Sequence, residues 1–258
     1  RVTFGSSGLS ITVRELKDVR PPLLWEPTEG AETTRFVERK HAQTGIPKTA
    51  LENVVFEAQQ ILGRCVDPKG PPGQRTGLVV GYVQSGKTLS FTTLTALAHD
   101  NGFALVVLIA GTLENLKQQT LDRLTSDLEL TASGVIRPWL LVHQPSENTS
   151  DAALLRQHLK NWTDPSYPQH KKRVCVAVVL KHPKRIANLR DCLKGVELAK
   201  IPTLVIDDEA DQASLNTFAA SNQAKGTNRT SANYREVLAL KQVFPHHTYV
   251  QYTATPQA

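Results

Sequence analysis

The sequence predicts an α/β fold built on a mainly parallel, doubly wound sheet, and three observations point there. Short β-branched apolar runs recur at 78–80, 104–110, 139–143, 174–180, 203–207 and 248–253. The stretches between them have helical patterns and lengths that fit crossover helices. The chemistry-bearing residues follow these runs directly, at the carboxyl ends of the strands, where such sheets bind ligands. Continuous apolar runs of this length are those of strands covered on both faces.

Residues 1–74 form the first segment. They are punctuated by prolines, and DPKGPPG at 67–73 reads as a linker. Before it, IPKTALENVVFEAQQILGR predicts a helix with Pro47 in its first turn and an apolar stripe of Leu51, Val54, Val55, Ala58, Ile61 and Leu62. Residues 75–258 hold all six candidate strands. The Asn-, Ser- and Thr-rich stretch from Gln212 to Asn233 reads as an insertion, and there is no internal repeat.

Bulk properties narrow the function classes. The longest apolar runs, such as VCVAVVL at 174–180, fall far short of the ~20 residues that cross a bilayer. Three scattered cysteines, Cys65, Cys175 and Cys192, give neither a disulfide framework nor a zinc site. They predict reduced core thiols in a cytoplasmic protein. The net charge of +6 is local: residues 156–200 carry eleven Lys/Arg against three acids, which leaves the remainder at −2. A concentrated basic block of this kind favours a polyanion partner.

The first strand-like run leads into Gly81-Tyr-Val-Gln-Ser-Gly86-Lys87-Thr88, a full match to G-x-x-x-x-G-K-[ST]. Glycines at Gly81 and Gly86 let backbone N–H groups, including those of Val83, Gln84 and Ser85, turn inward around phosphates. The helix that follows directs its positive end at them. Lys87 reaches the outer phosphates and the Thr88 hydroxyl can ligate Mg²⁺. The fifth run ends in Asp207-Asp208-Glu209-Ala210-Asp211. Paired acids at a strand end can hold Mg²⁺ and polarise an attacking water. We assign Asp208 to the metal and Glu209 to the water, with Asp207 the neighbouring alternative for the metal.

With both motifs present, the chain resembles the first RecA-like domain of superfamily-two helicases, and Asp208–Asp211 spells their DEAD signature. Ala110–Gln118 is similar to the motif Ia region, without its Pro and Arg. Lys181-His-Pro183-Lys184-Arg185-Ile186 resembles the TPGRL element, and Tyr252-Thr253-Ala-Thr255-Pro256 the S-A-T motif. GYVQSGKT, HDNGFALVVLIAGTLENLKQQTLDRL, IDDEADQAS and YTATP together are similar to the Z-one domain of bacterial endonucleases and defence-type ATPases.

The resemblance covers about 75–258. It implies a RecA-like P-loop NTPase domain that takes ATP and Mg²⁺, with Glu209 and Lys87 catalytic and Thr253 and Thr255 coupling hydrolysis to movement. It further implies DNA, with RNA as the alternative, held by Thr112, Lys181, Lys184 and Arg185 beside the basic block His170–Arg173 and Arg190. A second RecA-like domain with an arginine finger, and possibly a nuclease, are expected beyond residue 258, so weak hydrolysis is expected of these residues alone. A nucleotide-gated interaction module without motor activity is the competing reading. Gln74, upstream of the phosphate loop, is a weaker candidate for reading adenine.

Overall fold

The structure is a computed structural model that describes residues 22–80, 86–131, 138–210 and 231–253. Two helices, α1 (Ala31–Thr44) and α2 (Lys48–Leu62), precede β1 (Gln74–Val80) and α3 (Lys87–Asn101). Then β2 (Leu105–Ala110), α4 (Glu114–Leu128), β3 (Trp139–His143) and α5 (Ser150–Thr163) follow. The chain continues through β4 (Val174–Leu180), α6 (Pro183–Cys192), β5 (Thr203–Asp207), α7 (Ala232–Gln242) and β6 (His247–Thr253). The strands form one sheet in the order β1-β6-β5-β2-β4-β3, and every neighbouring pair is parallel. This is the predicted α/β architecture and is consistent with a RecA-like fold.

Strand alternation divides the interior into two cores. Val106, Leu108 and Ala110 of β2 face α1–α4, packing with Phe36, Leu62, Leu94, Leu97 and Leu124. Leu105, Val107 and Ile109 face α5–α7, packing with Leu155, Ile186, Leu189, Val237 and Leu240. All six residues of β2 are buried, as continuous apolarity predicts for a central parallel strand.

β1 departs from that expectation. Among the described strands it lies at the edge of the sheet, and its Leu78 and Val80 are exposed. An apolar run does not say whether a strand has neighbours on both sides.

Helix α3 is buried on nearly all sides, so its sequence lacks a polar stripe. Two of its buried threonines, Thr93 and Thr95, donate to the carbonyls of Leu89 and Phe91, 2.7 and 2.8 Å away. Gly86 (φ 79°) and Gly102 (φ 98°) bound the helix in left-handed conformations that favour glycine.

The N-terminal helices cover α3 and share its core. Asp100 at the end of α3 accepts hydrogen bonds from the backbone N–H groups of Gly30, Glu32 and Thr33. α2 spans the predicted helix, and Leu51, Val55, Ala58 and Leu62 are its buried stripe. The expected linker at 67–73 is tied to β6. His246 Nε2 lies 3.0 Å from the Asp67 carbonyl, and His247 N–H donates to Gly73. The insertion expected at 212–233 lies outside the described residues up to 230, and its last residues begin α7.

Candidate functional site

The carboxyl edge of the sheet gathers the ends of β1, β6 and β5. Lys87 and Thr88 open α3, with Gly86 as its cap. Of the other residues expected to bind the nucleotide, Gly81, Val83, Gln84 and Ser85 lie outside the described residues, as does Thr255. Because β6 intervenes between β1 and β5, the two motif-bearing ends stand two strand spacings apart, roughly 10 Å. Across that gap the Asp208 carboxyl feels the Lys87 ammonium. Burial and the Glu209 carboxylate push the Asp208 pKa above its usual range, while Lys87 and Lys181 oppose the rise.

Tyr252 of β6 ties the two sides together. Its hydroxyl lies 3.2 Å from Ser90 Oγ in the first turn of α3, and its carbonyl accepts the Ala210 N–H at 2.8 Å. Thr253, the next residue, is buried opposite Val80 of β1.

The acidic turn is unusual in its backbone and its partners. Asp207 is fully buried and directed to the α5–α7 side, where the Tyr249 hydroxyl donates to it. The Lys181 ammonium lies 2.7 Å from Asp207 Oδ1, with neither side chain exposed. Lys181 Nζ also donates to the carbonyls of Asp208 and Glu209 at 2.6 and 2.7 Å. Glu209 has φ 54°, a left-handed conformation that costs a non-glycine residue about 1–2 kcal/mol. Among the described residues, its Oε2 is buried without a hydrogen-bond partner. That oxygen lies 3.4 Å from where a Cβ on Gly111 would be.

Several site expectations need correction. Lys181 does not present its charge to a polyanion, because the ammonium is buried and engaged within the protein. Arg190 is paired with Glu236 at 2.7 Å. The basic block is also not one patch: His170–Arg173 precede β4 and Lys184 and Arg185 follow it, so seven residues of strand, about 20 Å, separate them. Lys184 and Arg185 are exposed at the start of α6 on the same edge as the acidic turn, and Thr112 is half-buried after β2. Gln74 begins β1 at the opposite edge and donates to the Phe244 carbonyl at 3.3 Å. It is one strand length from Val80 at the carboxyl end of β1.

Sequence reasoning missed Lys117, a wholly buried lysine on α4. Its ammonium contacts Glu114 and lies 2.8 Å from His143 Nε2. Burial and that ammonium push the His143 pKa down. The clue was a lysine on the helix face that also carries Leu121 and Leu124.

Among the described residues, no group of three or more His, Cys, Asp and Glu can hold a metal by itself. Mg²⁺ does not need one, since one or two carboxylates with phosphates and waters suffice. Comparison with models of known protein families and with curated proteins finds no match for this chain.

Proposed function

We propose that this chain is the ATP-binding and ATP-hydrolysing half of a cytoplasmic helicase- or translocase-like protein acting on DNA. The family resemblance to DEAD-like helicases and the Z-one domain belongs to the same proposal. So does coupling to a second RecA-like domain and to a nuclease or defence function. The observation that carries the reading is the placement of Lys87 and Thr88 at the start of α3, after β1, and of Asp208 directly after β5, at one carboxyl edge of a parallel sheet with only β6 between the two strands.

The residues fit the nucleotide and its ion. Lys87 and the α3 N-terminus offer positive potential to phosphates, with Thr88 and Asp208 as the ion's ligands. Mg²⁺, when bound, would neutralise phosphate charge and help align the leaving group. Glu209 Oε2, buried and without a partner among the described residues, suits a group that accepts a proton from water. Lys184 and Arg185 remain available for backbone phosphates of DNA.

The test is binding and hydrolysis of Mg-ATP by the full-length protein, with and without DNA, beside Glu209→Gln and Lys87→Ala. Hydrolysis lost in both, with binding kept in Glu209→Gln, supports the reading. Binding and hydrolysis that survive Lys87→Ala would overturn it. Nucleotide binding that is unaffected by Glu209→Gln, with no hydrolysis in either protein, would favour the nucleotide-gated module.

A further inference from the structure

We infer that Lys181 is a positioning residue for Glu209, holding the acidic turn through a buried clamp that β4 extends under the end of β5. This inference rests on the proposed role of Glu209 as the residue that orients water. A left-handed Glu209 persists only if its surroundings over-determine it, and the contacts that do so are specific. The Asp208 N–H donates to the Ile109 carbonyl at 3.0 Å and the Ala210 N–H to Tyr252 at 2.8 Å. Those two bonds fix the flanks of the turn. Between them, the carbonyls of Asp208 and Glu209 both point at one ammonium, that of Lys181.

Lys181 is in turn fixed at both ends. Its backbone N–H lies 2.9 Å from the Ala110 carbonyl and 3.1 Å from that of Gly111. Its ammonium is neutralised by Asp207, which the Tyr249 hydroxyl also engages. Gly111 lies beside the Glu209 carboxylate, whose Oε2 is 3.4 Å from where a Cβ would stand, an ordinary contact distance. The end of β2 that the Lys181 N–H pairs with thus also lies against Glu209 Oε2. The sequence LKHP gives no hint of this, because Asp207 and Lys181 are separated by a helix and a strand's worth of chain.

A purely structural ion pair predicts lost stability without a selective loss of turnover. A clamp predicts that nucleotide affinity persists while the chemical step fails, since displacing a catalytic group by about 1 Å costs on the order of 100-fold in rate. The test compares Lys181→Met with the charge-neutral double variant Lys181→Met/Asp207→Asn in the full-length protein. The double variant leaves no uncompensated buried charge, which keeps the comparison valid if the single variant unfolds. Readouts are affinity for a fluorescent ATP analogue, kcat and KM for ATP, and amide hydrogen exchange at residues 208–210.

The expected result for the double variant is affinity within about 3-fold of the parent, kcat lowered about 100-fold and faster exchange at 208–210. A folded double variant with parental kcat and parental exchange would overturn the inference. If the parent protein neither binds nor hydrolyses ATP, the functional reading fails on that result. The clamp is then judged by exchange alone: faster exchange at 208–210 supports it and unchanged exchange refutes it.

Discussion

Replacing Asp100 by alanine tests whether the N-terminal helices are part of the body that carries the site. Gly30 caps α1 but has no side chain to accept the helix's first N–H groups. Asp100 does this from the end of α3, 67–70 residues away in sequence. Its carboxylate accepts from Gly30 N at 3.0 Å, Glu32 N at 3.1 Å, Thr33 N at 2.9 Å and Thr33 Oγ1 at 2.6 Å. The side chain is 5% exposed, so water does not compete well for these donors.

A local N-cap substitution costs ~1 kcal/mol, and hydrogen bonds to a charged group ~1.5–3 kcal/mol each. Four shared bonds on one carboxylate are not additive, because the freed N–H groups at the helix end regain some water. A loss of about 3 kcal/mol follows, which lowers Tm by roughly 10 °C in a chain of this size. Burial alone would raise the Asp100 pKa, but hydrogen bonds from His99, Thr33 and Glu32 outweigh it and the net shift is downward. A depressed native pKa stabilises above the unfolded value, about 3.9, and the contribution is lost as pH falls through the native value.

Thermal unfolding of parent, Asp100→Ala and Asp100→Asn between pH 8 and pH 3 reads both effects. The gap to Asp100→Ala should be constant from pH 8 to pH 5 and narrow below pH 4, with Asp100→Asn intermediate. A gap under about 1 kcal/mol, or one that widens on acidification, would refute the reasoning.

Three further outcomes are expected. Charge reversal at Lys184 and Arg185 should weaken DNA binding and flatten its salt dependence, whereas reversal at Lys171 and Arg173, on the far edge, should change it less. Equal losses from the two pairs, measured by a salt titration of affinity, would place the DNA elsewhere. Gln74→Ala should leave ATP affinity within about 2-fold of the parent, because that side chain lies at the opposite end of β1. A tenfold loss in an equilibrium titration would contradict this. Burial pushes the thiols of Cys65 and Cys175 up to about 12, so the native protein should resist Ellman's reagent at pH 8 and react fully in denaturant. Rapid native labelling of either residue would disprove the burial.

The parts of the fold that were legible in sequence are those set by near neighbours in the chain. The strand cores need only a short β-branched run, and α2 needs only its stripe and Pro47. Contacts between distant segments were not legible. β1 reads as a buried strand but, among the described residues, has a strand neighbour on one side only. The basic block reads as continuous because residues 170–190 are close in sequence, yet β4 carries its two halves to opposite edges. Lys117 and Lys181 read as surface charges because most lysines are. Only their partners, His143, Asp207 and the carbonyls of the acidic turn, explain why they are buried.

The pair Asp207–Asp208 shows how strand geometry assigns roles that residue type leaves open. Successive side chains on a strand alternate between faces; Asp207 is the last residue of β5 and Asp208 the first of the turn that follows, so the strand fixes the side of Asp207 alone. Thr203 and Val205 pair with Leu105 and Val107, which sets the side of Asp207: it belongs to the α5–α7 face. There it meets Tyr249 and Lys181, away from α3. Asp208, in the turn, is influenced by Lys87. An aspartate buried beside a lysine is expensive to break, because removing either partner leaves a charge without compensation. Asp207 is therefore suited to holding the turn and poorly suited to exchanging ligands. Burial and the Glu209 carboxylate raise the Asp208 pKa, and its side chain lies within the influence of Lys87, which suits a carboxylate that meets a cation only when one arrives. Asp207→Asn should thus act first on stability and on the order of the turn, and Asp208→Asn on cation-dependent nucleotide binding. Stability curves and Mg²⁺ titrations of the two variants would distinguish them, and the reverse pattern would contradict the assignment.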